Sequence, residues 1–214
     1  MLLYLSSYKL GNDKELLKKW IKDNGNKIML IANSRDFIPD GKKKEDRIKS
    51  SVDDLEILGF EVERLDLREY FGKEDILRKD LENCRAFYVI GGNVYTLKMA
   101  MKLSGFDNYL KDISKCDNYL YAGYSAGICV LAPKLYGLDI VDKKINPYND
   151  DVIEDEGIGI LDFMPIPHYN SNHPESHLVD EVVDLYKDNN MNYMTLQDGN
   201  AIVIDTIKNI NEMK

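Results

Sequence analysis

The sequence predicts an α/β fold built on a mostly parallel sheet with helices on both faces. Three observations carry the prediction. Short apolar runs alternate with segments of helical spacing through the first 130 or so residues. The runs are near-continuously apolar, as strands buried on both faces must be. They also end in small or polar residues, Ala32-Asn33-Ser34, Gly91-Gly92-Asn93 and Gly123-Tyr124-Ser125-Ala126-Gly127. Open parallel sheets gather their sites at such carboxyl ends.

The elements follow in order. LLYLSS at 2–7 is a first short strand, ending in serines. DKELLKKWIKDNG at 13–25 has helical spacing, with Leu16, Leu17, Trp20 and Ile21 on one side and Gly25 as its cap. KIMLIANS at 27–34 is a buried strand. EDRIKSSVDDLEILG at 45–59 is helical and closes on Gly59, and FEVERLDL at 60–67 alternates like an edge or half-buried strand. RAFYVIGG is another buried strand, NVYTLKMAM and FDNYLKDISK are helical, NYLYAGYS is a strand and AGICVLAP a short buried helix. The second half is less regular. Residues 134–160 are turn-rich and acidic, and the composition of the stretch around 140–157 permits a lid without requiring one. MPIPHYN is a short extended run, PESHLVDEVVDLYKDNN an amphipathic helix, and MNYMTL and AIVIDT are strands joined across QDGN. No repeat or linker divides the chain, so residues 1–214 read as one domain.

Composition excludes some functions. With 44% hydrophobic and 30% charged residues the chain reads as an ordinary globular protein. A net charge of −9 argues against nucleic acid and anionic membranes as partners. Lys42, Lys43 and Lys44, with Arg47 nearby, form one basic cluster, read as a solvated loop or helix start. The 3 cysteines, Cys84, Cys116 and Cys129, lack metal-ligand spacing and point to reduced thiols in the cytoplasm. The N-terminus has no signal-peptide pattern, and no apolar run reaches spanning length.

The chemistry centres on Ser125. Gly-x-Ser-x-Gly between strand and helix is a nucleophile-elbow pattern. The glycines allow the tight turn, and the Ala126 amide at the helix start can meet an oxyanion. Structural turn is the competing reading. A serine nucleophile needs a base, and the chain has 3 histidines. His173 and His177 are spaced for a metal but lack a third ligand pattern, and read as a solvated helix start. His168 ends the run FMPIPHY, where a strand would deliver a site residue. The orienting acid stays open among Asp139, Asp142, Asp162, Glu175 and Asp198, since Asp198-Gly199 alone reads as a hairpin turn. The glycine pair at 91–92 offers either a second oxyanion amide, from Gly92, or a plain tight turn. No phosphate-loop lysine or dinucleotide fingerprint accompanies it.

Together these segments resemble the dipeptidase E family of serine peptidases. The resemblance rests on Gly91-Gly92-Asn93, Gly123 to Gly127, Pro167-His168-Tyr169 with Pro174-Glu175-Ser176-His177, and Asp198-Gly199-Asn200, in the family's order. It implies a flavodoxin-like three-layer sandwich similar to class I glutamine amidotransferase domains. It implies Ser125 as nucleophile, His168 as base, Asp198 as the orienting acid, and the amides of Gly92 and Ala126 as oxyanion hole. Asn93 and Lys134 are the candidate substrate contacts. The expected reaction is hydrolysis of dipeptides or very short peptides through an acyl-enzyme, without metal or cofactor, by a monomer or homodimer. The chain departs from the family pattern in having Ile90 for the first of three glycines. It also has no arginine after Arg85, so recognition of an N-terminal Asp does not follow. Other readings are a small esterase using Asp139 or Asp142, an amidotransferase-like domain, for which the elbow lacks cysteine, and a non-catalytic protein on the same fold.

Overall fold

The computed structural model describes residues 1–148, 153, 155–207 and, as backbone, 210–213. Its centre is a seven-stranded sheet. The strands are β1 (Leu2–Ser6), β2 (Lys27–Ile31), β3 (Glu61–Arg64), β4 (Ala86–Val89), β5 (Leu120–Tyr124), β8 (Ala201–Asp205) and β9 (Ile210–Met213), in the order β3-β2-β4-β5-β1-β8-β9. β3 to β1 in that order are parallel, while β8 runs antiparallel to β1 and β9 antiparallel to β8.

Every residue of β4 and β5 is buried, because helices cover both faces. Successive strand residues point to opposite sides. Leu3, Leu5, Phe87, Val89 and Tyr121 pack into one core with Val94 and Leu97 of α4 (Val94–Ser104) and Val182 of α7 (Ser176–Asp188). Tyr4, Tyr88 and Ala122 pack into the other, with Leu17 and Trp20 of α1 (Glu15–Asn24) and Leu55 of α2 (Lys42–Leu58). This is the three-layer α/β sandwich expected. α1 ends at Gly25 (φ 94°) and α2 at left-handed Gly59 (φ 111°) as read from sequence. Two short helices, α3 (Glu74–Asp80) and α5 (Phe106–Ile113), complete the flanks with α6 (Ala126–Cys129); α3 was not anticipated.

The hairpin expected across QDGN is absent. β7 (Tyr193–Thr195) pairs in parallel with β6 (Met164–Ile166) in a separate two-stranded sheet, while β8 joins the main sheet beside β1. Tertiary pairing thus overrides the local Asp-Gly turn signal. The consequence matters for the site. Ser6 at the end of β1 pairs with both Tyr124 of β5 and Ala201, the first residue of β8. Residues just before β8 therefore arrive at the edge where β1 and β5 end.

The basic cluster is not wholly solvated, because Lys44 is buried and ion-paired to Asp36 at 3.1 Å and Asp40 at 3.0 Å. Of the stretch around 140–157, residues 149–152 and 154 lie outside the described residues. Its first part packs down. Asn93 Nδ2 donates to the Lys143 carbonyl, and Tyr148 donates to Asp36 Oδ2 at 2.7 Å.

Candidate active site

Ser125 sits between β5 and α6 with φ 52° and ψ −122°, a region that side-chain-bearing residues rarely enter. Close packing holds it there. A Cβ on Gly123 would lie 2.9 Å from the Val89 carbonyl oxygen, one on Gly127 would overlap that same oxygen, and one on Gly91 would lie 2.8 Å from the Ser125 Cβ. The Gly-x-Ser-x-Gly spacing therefore lets the turn nest against the end of β4. Gly92 is fixed in the same way, since a Cβ there would overlap the Ser34 carbonyl. The amides of Gly92 and Ala126 have no hydrogen-bond acceptor among the described residues, and both residues line one cavity with Ser125.

His168 follows β6 and lines that cavity too. It is 2% exposed, and its backbone is also left-handed, at φ 62°. Its Nδ1 lies 2.8 Å from Asp198 Oδ1. Ser7, at the end of β1, ties the pair together: its hydroxyl donates to Asp198 Oδ1 at 2.6 Å and accepts from the His168 amide at 2.8 Å. Asp198 also has its own amide bonded to Ser171 Oγ at 2.8 Å. Of the five candidate acids, Asp198 is the one hydrogen-bonded to His168. Ser125 and His168 share no hydrogen bond among the described residues; in unliganded sites such bonds are often long and tighten around substrate.

The His168 ring stacks on His173, with centroids 3.7 Å apart and planes 8° from parallel. Burial, and then the neighbouring His173, push its pKa below the usual histidine value against the pull of Asp198. A depressed value keeps His168 neutral near pH 7, the form that can accept a proton. His173 is thus part of the site and not of α7, which begins at Ser176. Potential ligand atoms of His168, His173 and Glu175 come within 4.8 Å of one another. Two rings in near-parallel planes cannot both aim an in-plane lone pair at one ion without rotating, so the set fits a metal poorly.

The cavity beside Ser125 is walled by Val94, Leu138, Val141, Ile166, Val179 and Val182, with the carboxyls of Asp142 and Glu175. Asp142 accepts the Val94 amide at the start of α4 at 2.8 Å, yet burial pushes its pKa up to about 7. The Cys129 thiol, also at this cavity, donates to the Pro165 carbonyl, and burial raises its pKa well above the usual thiol value.

Two expected substrate contacts need correction. Asn93 is 3% exposed and fully engaged: its Oδ1 caps α4 by accepting from Thr96, and its Nδ2 is held by Lys143. It is a helix cap that pins the overlying segment. Lys134 is exposed, bridges to Glu156 through its backbone, and lines neither the inner cavity nor the cleft outside it.

The sequence model of Peptidase family S51 matches residues 2–210. The chain belongs to peptidase family S51. It is therefore a peptidase, and so a hydrolase. The fold is shared with solved structures. One is a protein from Listeria monocytogenes EGD-e assigned provisionally as a peptidase E, at 24% identity and TM-score 0.76, covering 100% of this chain and 98% of that one. Another is a peptidase from an acI-B1 Actinobacterium, at 19% identity and TM-score 0.61, covering 94% and 82%. A search among curated protein sequences finds no match. No helix among the described residues is long and apolar enough to cross a membrane.

Proposed function

We propose that this chain is a serine peptidase that cleaves dipeptides or very short peptides through Ser125, His168 and Asp198. The observation that carries the reading is His168. One ring nitrogen is held by Asp198 at 2.8 Å, which leaves Nε2 as the proton acceptor, and the ring lines the same cavity as the half-buried elbow serine.

In this mechanism Ser125 Oγ attacks the scissile carbonyl carbon while His168 Nε2 takes its proton. Negative charge builds on the carbonyl oxygen, where the free amides of Gly92 and Ala126 stabilise it. Collapse breaks the C–N bond, and imidazolium His168 protonates the departing amine. Water, deprotonated by His168, then hydrolyses the acyl-serine. Asp198 holds the imidazole tautomer and stabilises its charged form. Other roles have less support. Asp139 and Asp142 do not hydrogen-bond to His168 among the described residues, and the buried thiol of Cys129 is a poor nucleophile. The three free cysteines support a reducing, cytoplasmic setting; a small peptide is the expected partner.

The test is amino-acid release from a dipeptide panel, with labelling of Ser125 by a fluorophosphonate probe. Ser125→Ala should abolish both. Asp198→Asn should leave the fold intact and lower kcat by on the order of 10³–10⁴. Undiminished turnover in Ser125→Ala would eliminate the serine mechanism.

A further inference from the structure

We propose that Arg35 anchors the C-terminal carboxylate of a dipeptide substrate, and so sets where the substrate must end. The inference rests on the peptidase reading above and names what the open side of the same site recognises.

Arg35 closes the turn Asn33–Arg35 after β2. Its backbone is fixed beside the candidate oxyanion amide. Ser34 Oγ donates to the carbonyls of Ile90 and Gly91 at 2.9 and 3.1 Å, and the Asn93 amide donates to the Ser34 carbonyl at 2.8 Å. Arg35 lines the open cleft that also contains Gly92, Ser125 and His168, and it is not part of the inner apolar cavity.

One nitrogen of its side chain is unsatisfied. Arg35 Nε is buried and has no hydrogen-bond partner, and the guanidinium has no ion-pair partner among the described residues. The adjacent acid, Asp36, is already engaged by Lys44 at 3.1 Å, by Asn33 at 2.7 Å and by the Tyr148 hydroxyl at 2.7 Å. Lys9, at the same cleft, is paired with Asp54 at 3.0 Å. A partly buried guanidinium without a counter-charge is costly unless a ligand supplies one. Its planar fork fits a carboxylate bidentately.

The carboxylate of a first-residue Asp is the other source to weigh. The inner cavity, where the first side chain would lie, is apolar and already carries Asp142 and Glu175. An acidic pair there suits a substrate ammonium better than a third carboxylate. The cleft outside shares Asp142 and Glu175 with the cavity and adds Arg35 and Arg47, with Tyr8 and Phe37. A zwitterionic dipeptide with an apolar first residue fits an apolar cavity, an acidic pair and an arginine gathered around Ser125. A longer peptide would place a neutral amide opposite Arg35 and lose the ion pair.

Calorimetry on the Ser125→Ala protein tests the anchor without relying on turnover. Leu-Leu should bind at least about 30-fold more tightly than Leu-Leu amide, the scale of a lost charge-assisted pair. Adding Arg35→Ala should erase that preference, and Arg35→Lys should restore part of it, with unchanged melting curves as the folding control. Equal affinity for acid and amide in the Arg35 protein's parent would overturn the proposal. So would an Arg35→Ala effect that is the same for both ligands, or one that appears only with Asp-Leu. Fluorophosphonate labelling of wild-type Ser125 reports separately on the peptidase reading, which can fail while the anchor stands.

Discussion

Ser125 holds φ 52° and ψ −122°, and a side chain in such a region costs about 1–3 kcal/mol. The surrounding glycines and the end of β4 impose that conformation, and it is what lifts the serine oxygen out of the turn. Ser125→Gly should therefore relieve strain that Ser125→Ala retains. Glycine gives back about 0.5–1 kcal/mol through the entropy of the unfolded chain, leaving a net gain of roughly 1 kcal/mol. In a chain of this size the glycine variant should melt about 2–4 °C above the alanine variant, with both inactive. Equal melting temperatures would mean that the strain is no larger than the entropy glycine gives back, about 0.5–1 kcal/mol. Ser125 was legible because two glycines at fixed spacing have few other uses. Arg35 and Ser7 were not, because one arginine after a strand and one serine at a strand end look ordinary until the sheet brings them to Gly92 and Asp198.

Among the elements, the segment after α6 carries the site's most unusual carboxyl. Asp142 caps α4 through the Val94 amide, but burial outweighs that bond and raises its pKa from 3.8 to about 7. A raised carboxyl pKa means the folded state binds the proton more tightly than the unfolded chain does. Stability from Asp142 is therefore fully present below about pH 4 and is lost as pH rises through about 7. Asn at this position keeps an oxygen for Val94 and carries no charge. Asp142→Asn should thus gain on wild type between pH 5 and pH 8, on the order of 1–3 kcal/mol, read as a widening difference in melting temperature. A difference that does not change with pH would show that the carboxyl is not held protonated. Helices and strands were legible here where periodicity was strong, as in α1, α2 and α7. The turn at 197–200 was misread because Asp-Gly is a local signal, whereas the partners of β7 and β8 were chosen by packing over long range. Asn93 was misassigned for a related reason: sequence shows its position in a glycine-rich turn but not that its amide is spent on Lys143.

At the scale of the molecule, the sheet order decides which distant residues can cooperate. β1 lies between β5, which ends at the elbow, and β8, whose start follows Asp198. The first strand of the chain therefore runs between the elbow and the acid at 198, and Ser7 just after it ties that acid to His168. It is fully buried, bonded to Asp198 Oδ1 and to the His168 amide, and lines neither the cavity nor the cleft. No local pattern reveals this, since antiparallel insertion of β8 beside β1 is a property of the whole sheet. Ser7→Ala would leave the His168 amide without its acceptor and Asp198 without one donor, at a cost of about 1–3 kcal/mol in denaturant unfolding. Because His168 and Asp198 would then be free to drift, kcat should fall by about 10–100-fold. KM should hold, because Ser7 does not face the substrate cavity, and labelling of Ser125 by a fluorophosphonate should slow in step with kcat. If stability falls while kcat and labelling stay at wild-type levels, Ser7 only fills the sheet and the His168–Asp198 pair is held by other contacts.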